Sequence, residues 1–281
     1  MGILYVKNTD SKEFTELFKT IQSRPNVIYL DTEDTGLNAF TDKVLLLQLG
    51  VGDNIYVLDT FKLGDGVIKG ILNSILVSKS LIVGHNVKFD VKMLYVNYGV
   101  LLTRVFDTML AEVLITAGVG DKYPSLSDLV LKYCGVVLDK DVRKEFINKP
   151  FGSDFTNNQI MYSAEDILHL EKIYLAQLSE LDTQLLGKVC QLENELVPVV
   201  ISMEVTGISV DHNVWNRLEL SASRSALENK NALLKMMFDK VDMSKYKNGL
   251  ELANAIKITI KTKRDKAALE KLTDPELLRD C

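Results

Sequence analysis

A chain of 281 residues, 47% hydrophobic and 25% charged, has room for one large domain or for one domain plus a smaller one. A formal net charge of −5 and a pI near 5.4 exclude a bulk nucleic-acid packaging protein, which is strongly basic, but not an enzyme that acts on nucleic acid. The scattered cysteines Cys134, Cys190 and Cys281 form no CxxC pair, which argues against a zinc site or a disulfide framework.

His85, His169 and His212 lack ligand spacing. No apolar run approaches membrane-spanning length, and the N-terminus has no signal-peptide pattern. The chain starts Met-Gly, but Val6 stands where a myristoylation signal needs Ser or Thr. A cytoplasmic protein without membrane contact is expected.

In chain order, residues 3–6 read as a short strand, and Asp10 or Ser11 caps a helix with Phe14, Leu17, Phe18 and Ile21 on a helical period. Residues 27–31, 44–51 and 55–58 read as three further strands, with hairpin-turn residues Gly52-Asp53-Asn54 joining the last two. That succession predicts an antiparallel meander. Helices are expected over 67–76, 89–98, 108–116 and 126–133, with short strands at 81–84 and 104–107 between them. Ser125 or Ser127 is a cap for the last of these helices.

The polar stretch 146–155 reads as a loop, and Thr156 caps a helix running past Leu178. From about residue 183 the composition turns helical. A long helix over 185–205 contains Pro198 as an expected kink, a strand is expected at 207–210, and Asp211 caps another helix to about 241. The fold class is α/β, a mixed sheet with flanking helices followed by a mostly helical extension, with domains 1–182 and 183–281.

The stretch Val27-Ile28-Tyr29-Leu30-Asp31-Thr32-Glu33-Asp34-Thr35-Gly36-Leu37 carries the densest chemistry. Alternate residues of a strand share a face, so Asp31 and Glu33 point the same way. Paired carboxylates repel unless a cation or proton sits between them, which suggests a divalent-metal site. Taken alone, the stretch is equally well read as a strand ending in a solvated turn. Asn86 and Asp90 flank a strand–helix junction, where a helix cap and a dipole-complementing acid are the plainer reading. Tyr162 and Asp166 share a helix face with Leu170 and Ile173, so both should point inward, and a buried Asp needs a partner or a metal. Asp107 reads as a cap.

Asp-x-Glu on a strand, Asn-x-x-x-Asp at a junction and Tyr-x-x-x-Asp on a later helix, in that order, resemble the three motifs of the tyrosine branch of the DEDD superfamily of 3′–5′ exonucleases. Residues 106–110, Ser125-Leu126-Ser127-Asp128-Leu129-Val130 and Asp139-Lys140 extend the likeness. The proofreading domain of family A (DNA polymerase I-like) enzymes and ribonuclease D both look like this over residues 1–180.

The resemblance implies a ribonuclease H-like fold and a phosphodiester hydrolase. It implies that Asp31, Glu33, Asp90 and Asp166 hold two Mg²⁺ or Mn²⁺ ions, whose charge cancels that of four carboxylates. Tyr162 then orients the attacking water, because a phenol with pKa about 10 is a poor base at neutral pH. Thr32, Leu37, Asn86 and Phe89 fall at positions beside the substrate strand, although Phe89 reads equally well as core.

The stretch 193–211 is similar to the junction between exonuclease and polymerase in family A enzymes, yet no segment resembles the polymerase catalytic motifs. Lys257, Lys261, Lys263, Arg264 and Lys266 form a basic cluster that reads as a solvated face, a phosphate contact or a dock for a separate polymerase chain. The expected function is removal of nucleotides from single-stranded DNA 3′ ends in proofreading. A ribonuclease D-like RNA trimmer and a non-catalytic nucleic-acid- or polymerase-binding module are the alternatives.

Overall fold

The structure, a computed structural model, describes residues 2–119, 123–138, 145–147 and 149–240. Six strands form one mixed sheet: β1 (Gly2–Val6), β2 (Val27–Asp34), β3 (Val44–Val51), β4 (Asn54–Asp59), β5 (Leu81–Gly84) and β6 (Val105–Asp107), in the order β1-β4-β3-β2-β5-β6. β2, β3 and β4 make the expected antiparallel meander. Gly52 turns β3 into β4 at φ 61°, where a side chain is strained. The helical crossovers return β5 and β6 parallel to β2, and β1 adds parallel to β4. All eight residues of β3 are buried, as its unbroken apolar run requires of a strand covered on both faces.

Two helical layers supply that cover. On one face α1 (Lys12–Gln22), α3 (Asp65–Ser78), α4 (Val87–Tyr98) and α9 (Gly187–Thr206) bring Leu17, Ile71, Val91 and Ile201 onto Leu30, Leu47 and Leu49. On the other face α5 (Thr108–Ile115), α7 (Asn157–Leu168) and α8 (Leu170–Thr183) bring Ala111, Ile167 and Leu181 onto Tyr29, Leu46 and Val57. α6 (Leu126–Cys134) packs Leu129 and Val130 on Ile173 of α8. α2 (Thr60–Leu63) is a single turn between β4 and α3. The caps fall where the sequence puts them. Ser11 accepts from Phe14 N at 3.0 Å, and Ser125 and Thr156 each close a capping box. This is the ribonuclease H-like α/β architecture with a helical C-terminal region. Among the described residues no helix is long and apolar enough to cross a membrane.

The structure corrects two expectations. The helix expected from 157 past 178 is two helices, broken at His169. α7 packs on β2, β3 and β4, whereas α8 packs mainly on α5 and α6, so one straight rod cannot bury both apolar faces, although their periodicity runs on through the break. Residues 207–210 form no strand. Ile208 and Val210 have the propensity, but a strand exists only where a ladder partner does.

The chain divides into two compact units, Met1–Gly207 and Ile208–Cys281. α9, which continues through Pro198, therefore belongs with the sheet, and residue 183, the last of α8, falls inside the first unit. In the second unit α10 (His212–Lys240) follows Asp211, whose Oδ1 accepts from Asn213 N and Val214 N.

Candidate active site

Strand alternation puts Asp31 and Glu33 on one face of β2 and Thr32 and Asp34 on the other. The β2–β3 register slips between Glu33 and Asp34, so the ladder is already irregular where the carboxylates cluster. α7 crosses above the first face. Carboxylate oxygens of Asp31, Glu33 and Asp166 all lie within 4.8 Å of one another.

Asp90, in the first turn of α4, stands behind this trio and is 4% exposed, so it is no solvated dipole-capping acid. Its Oδ1 accepts from Thr32 N at 3.1 Å and lies 2.7 Å from Thr32 Oγ1. The same hydroxyl lies 2.8 Å from Asp34 Oδ2. A hydroxyl has one proton, so Asp34 and Asp90 share it as acceptors, and Thr32 holds two acids close together behind the trio.

The electrostatics agree. Burial, then repulsion by Asp90, Asp166 and Glu33, holds the Asp31 carboxyl well above the usual carboxylate range. Burial, then Asp90, does the same to Asp34. Asp90 is pushed up to about 7 by burial, against the opposing pull of its bonds to Thr32. So many acids this close hold their charge together only around cations. An all-carboxylate donor set is hard, which fits a divalent ion of the Mg²⁺ or Mn²⁺ class rather than zinc.

A cavity of about 300 Å³ opens over the carboxylates. Asp31, Thr32, Glu33, Asn86, Phe89, Asp90, Tyr162 and Asp166 all line it, so the fold brings residues from β2, α4 and α7 to one place. Tyr162 is 8% exposed and its ring stacks on Phe146, centroids 6.2 Å apart. Phe89 lines the cavity and also packs on the core, satisfying both readings of it. Asn86 makes no side-chain cap on α4; it sits in the left-handed region at φ 55° and turns β5 into the helix. Leu37 is outside the lining and 77% exposed. Lys257, Lys261, Lys263, Arg264 and Lys266, like Asp139 and Lys140, lie outside the described residues.

Sequence reading missed Asp34 and His85. Asp34 looked like the start of a turn, and only its bond to Thr32 and its burial reveal it. His85 also lines the cavity, its Nδ1 3.0 Å from Thr108 Oγ1; its place directly before Asn86 was the available signal.

The junction under the site is held by Asp107. As expected it caps α5, accepting from Met109 N at 2.9 Å, and it also accepts from Asn86 N at 2.8 Å. Its own N–H donates to Asn194 Oδ1 of α9 at 2.6 Å. Gly84 is required there, because a Cβ would stand 2.9 Å from Leu30 O and 2.8 Å from a Val87 methyl. A larger cavity of about 540 Å³ lies beyond β6, between α8 and α9, but its wall of Phe106, Tyr174, Leu178 and Leu181 is mostly apolar and holds no carboxylate cluster.

A ribonuclease H-like sheet carrying an Asp-x-Glu strand, an Asp on the following junction helix and a Tyr-x-x-x-Asp helix defines a hydrolytic nuclease of the DEDD class. Residues 5–182 match the family model described as 3′–5′ exonuclease, and the chain belongs to that family. It is 30% identical to DNA polymerase I of Aquifex aeolicus over 230 residues, covering 75% of this chain and 37% of that protein. It is 26% identical to ribonuclease D of Gluconacetobacter diazotrophicus over 212 residues, covering 75% and 50%. The chain thus spans half or less of the length of these relatives. Its fold resembles that of Escherichia coli RNase D, an exoribonuclease involved in structured RNA processing, with a TM-score of 0.61 at 21% identity, covering 72% of this chain and 51% of that one. It also resembles Brucella melitensis NrnC bound to pGG, with a TM-score of 0.59 at 19% identity, covering 75% and 98%.

Proposed function

We propose that this chain removes nucleotides one at a time from the 3′ end of single-stranded DNA, in proofreading for a polymerase. In this reading Asp31, Glu33, Asp90 and Asp166 hold two divalent ions. The observation that carries the hydrolytic part is the convergence of Asp31, Glu33 and Asp166 oxygens within 4.8 Å beneath a polar cavity. What supports DNA is the identity to a DNA polymerase I, together with the likeness of residues 193–211 to the family A exonuclease–polymerase junction.

Bound divalent ions supply a nucleophile at neutral pH and offset charge on the leaving oxygen. The protein's own part is positional. Thr32 fixes the Asp90 carboxylate, and Tyr162, stacked on Phe146, presents its hydroxyl to the attacking water. The water oxygen bonds to phosphorus as the bond to the preceding 3′ oxygen breaks. The products are a nucleoside 5′-monophosphate and a strand one nucleotide shorter. A cavity of about 300 Å³ is at the low end for small-ligand sites, room for a terminal nucleotide but not a duplex.

The second reading, a ribonuclease D-like exoribonuclease, is favoured by the ribonuclease D relative and by the shared fold. The test is shortening of 5′-labelled single-stranded DNA and RNA of equal sequence, with Mg²⁺, Mn²⁺ or chelator, beside Asp31→Ala and Asp166→Ala. Faster DNA shortening, lost in both variants and with chelator, is expected. RNA preference selects the second reading, and no shortening of either by folded wild type overturns both.

A further inference from the structure

Among the described residues, four side chains hold buried polar atoms without a hydrogen-bond partner: Asp34, Gln48, Asp107 and Gln177. Three of them are bonded through their other polar atom: Asp34 to Thr32, Asp107 to Asn86 and Met109, Gln177 to Thr108 and Glu112. Gln48 differs, because neither its Oε1 nor its Nε2 has a partner and the residue is 0% exposed. A buried primary amide left wholly unpaired is unfavourable, and an apolar side chain of the same shape would serve the core better. A residue that weakens the core in this way belongs to a site.

The sheet shows which site. Gln48 on β3 stands directly opposite Asp31 on β2. Opposed residues of an antiparallel pair share a face, with Cβ atoms about 4.5–5.5 Å apart. That face is the one under α7, for a Cβ on Gly50, two residues along β3, would lie 2.6 Å from Ile167 Cγ2. Asp166, beside Ile167, brings its carboxylate to Asp31 on that side. The Gln48 side chain therefore lies on the same face of the sheet as Asp31, between the apolar residues Leu46 on its own strand and Val57 opposite it on β4.

We infer that Gln48 is a positioning residue that orients Asp31 for the divalent cation. Its Nε2 donates through one bridging water to an Asp31 oxygen and leaves the other oxygen aimed at the ion. Partners of this kind behind a ligand carboxylate set its direction, and their loss weakens metal binding about 10- to 100-fold. The inference rests on the assignment of Asp31 as a ligand.

The experiment compares wild type, Gln48→Met and Asp31→Asn. The melting temperature is measured in chelator, Mn²⁺ affinity by calorimetry, and the Mg²⁺ concentration for half-maximal nuclease activity by titration. Gln48→Met is expected to melt at or above the wild-type temperature, since a strain on folding is removed, while Mn²⁺ affinity falls about 10- to 100-fold and the Mg²⁺ midpoint rises in step. Saturating Mg²⁺ should restore most of the rate. Wild-type Mn²⁺ affinity in Gln48→Met overturns the inference. So does a melting point several degrees lower, which would show that the amide is a structural group satisfied in the fold. Asp31→Asn reads the underlying assignment separately: if it binds Mn²⁺ as wild type does, Asp31 is no ligand and the role of Gln48 falls with it.

Discussion

Thr32 donates its backbone N–H to Asp90 Oδ1 at 3.1 Å and places its hydroxyl 2.7 Å from the same oxygen, although the two residues are 58 positions apart. This pair joins β2 to α4 and aims Asp90 into the carboxylate cavity. Thr32→Val keeps the shape and removes the hydroxyl. It leaves Asp34 and Asp90 with one bond fewer each, at a cost of about 1–3 kcal/mol in urea unfolding. Exonuclease rate should fall about 10- to 100-fold if Asp90 is the ligand proposed above, because misaiming such a carboxylate weakens a metal site. A variant as active as wild type would show that Thr32 holds the fold and not the site.

Stability without metal should fall as pH rises. Asp31 is held well above the usual range and Asp90 at about 7, whereas carboxyls of the unfolded chain titrate near pH 4. The folded, metal-free protein therefore keeps protons that the unfolded chain releases. The stability this gives is full below about pH 4 and is lost as pH climbs through about 7. The melting temperature in chelator should be lower at pH 8 than at pH 5. Mg²⁺ should raise it more at pH 8, where the carboxylates proposed to bind it are ionised. Differential scanning fluorimetry at both pH values, with and without Mg²⁺, checks the sign.

Tyr162→Phe keeps the ring on Phe146 and removes the hydroxyl. Fold stability should change by at most about 1 kcal/mol. Single-turnover cleavage should slow about a hundredfold through a misplaced water, with Mn²⁺ affinity unchanged. Lost metal affinity would assign the phenol a different task.

Asn194 Oδ1 accepts from Asp107 N at 2.6 Å, and Asp107 in turn holds the Asn86 turn. Asn194→Leu orphans a buried N–H and should cost about 1–3 kcal/mol in a single urea transition of the Met1–Gly207 unit. A protein ending at residue 183 lacks α9 and exposes the apolar surface that Val197 and Ile201 cover, so it should melt well below one ending at 207. Equal melting of the two would place the boundary near 183.

Much of this protein is local in origin. The meander, most of the helices, the caps at Ser11, Ser125 and Thr156, and the grouping of Asp31 with Glu33 follow from periodicity and chain chemistry within a few residues. The exonuclease motifs were legible for the same reason, since each is a short spacing on one element. Tertiary structure alone decided the rest. Whether Asp90 is a solvated cap or a buried acid depends on Thr32, 58 residues away, and the burial of Asp34 depends on the same contact. Whether residues 207–210 become a strand depends on a ladder partner, and whether α9 belongs to the first unit depends on the core it meets. Gln48 looked like one polar residue in an apolar run until register set it opposite Asp31. Propensity acts between near neighbours in the chain, whereas burial, register and the crowding of carboxylates arise only when distant segments pack together.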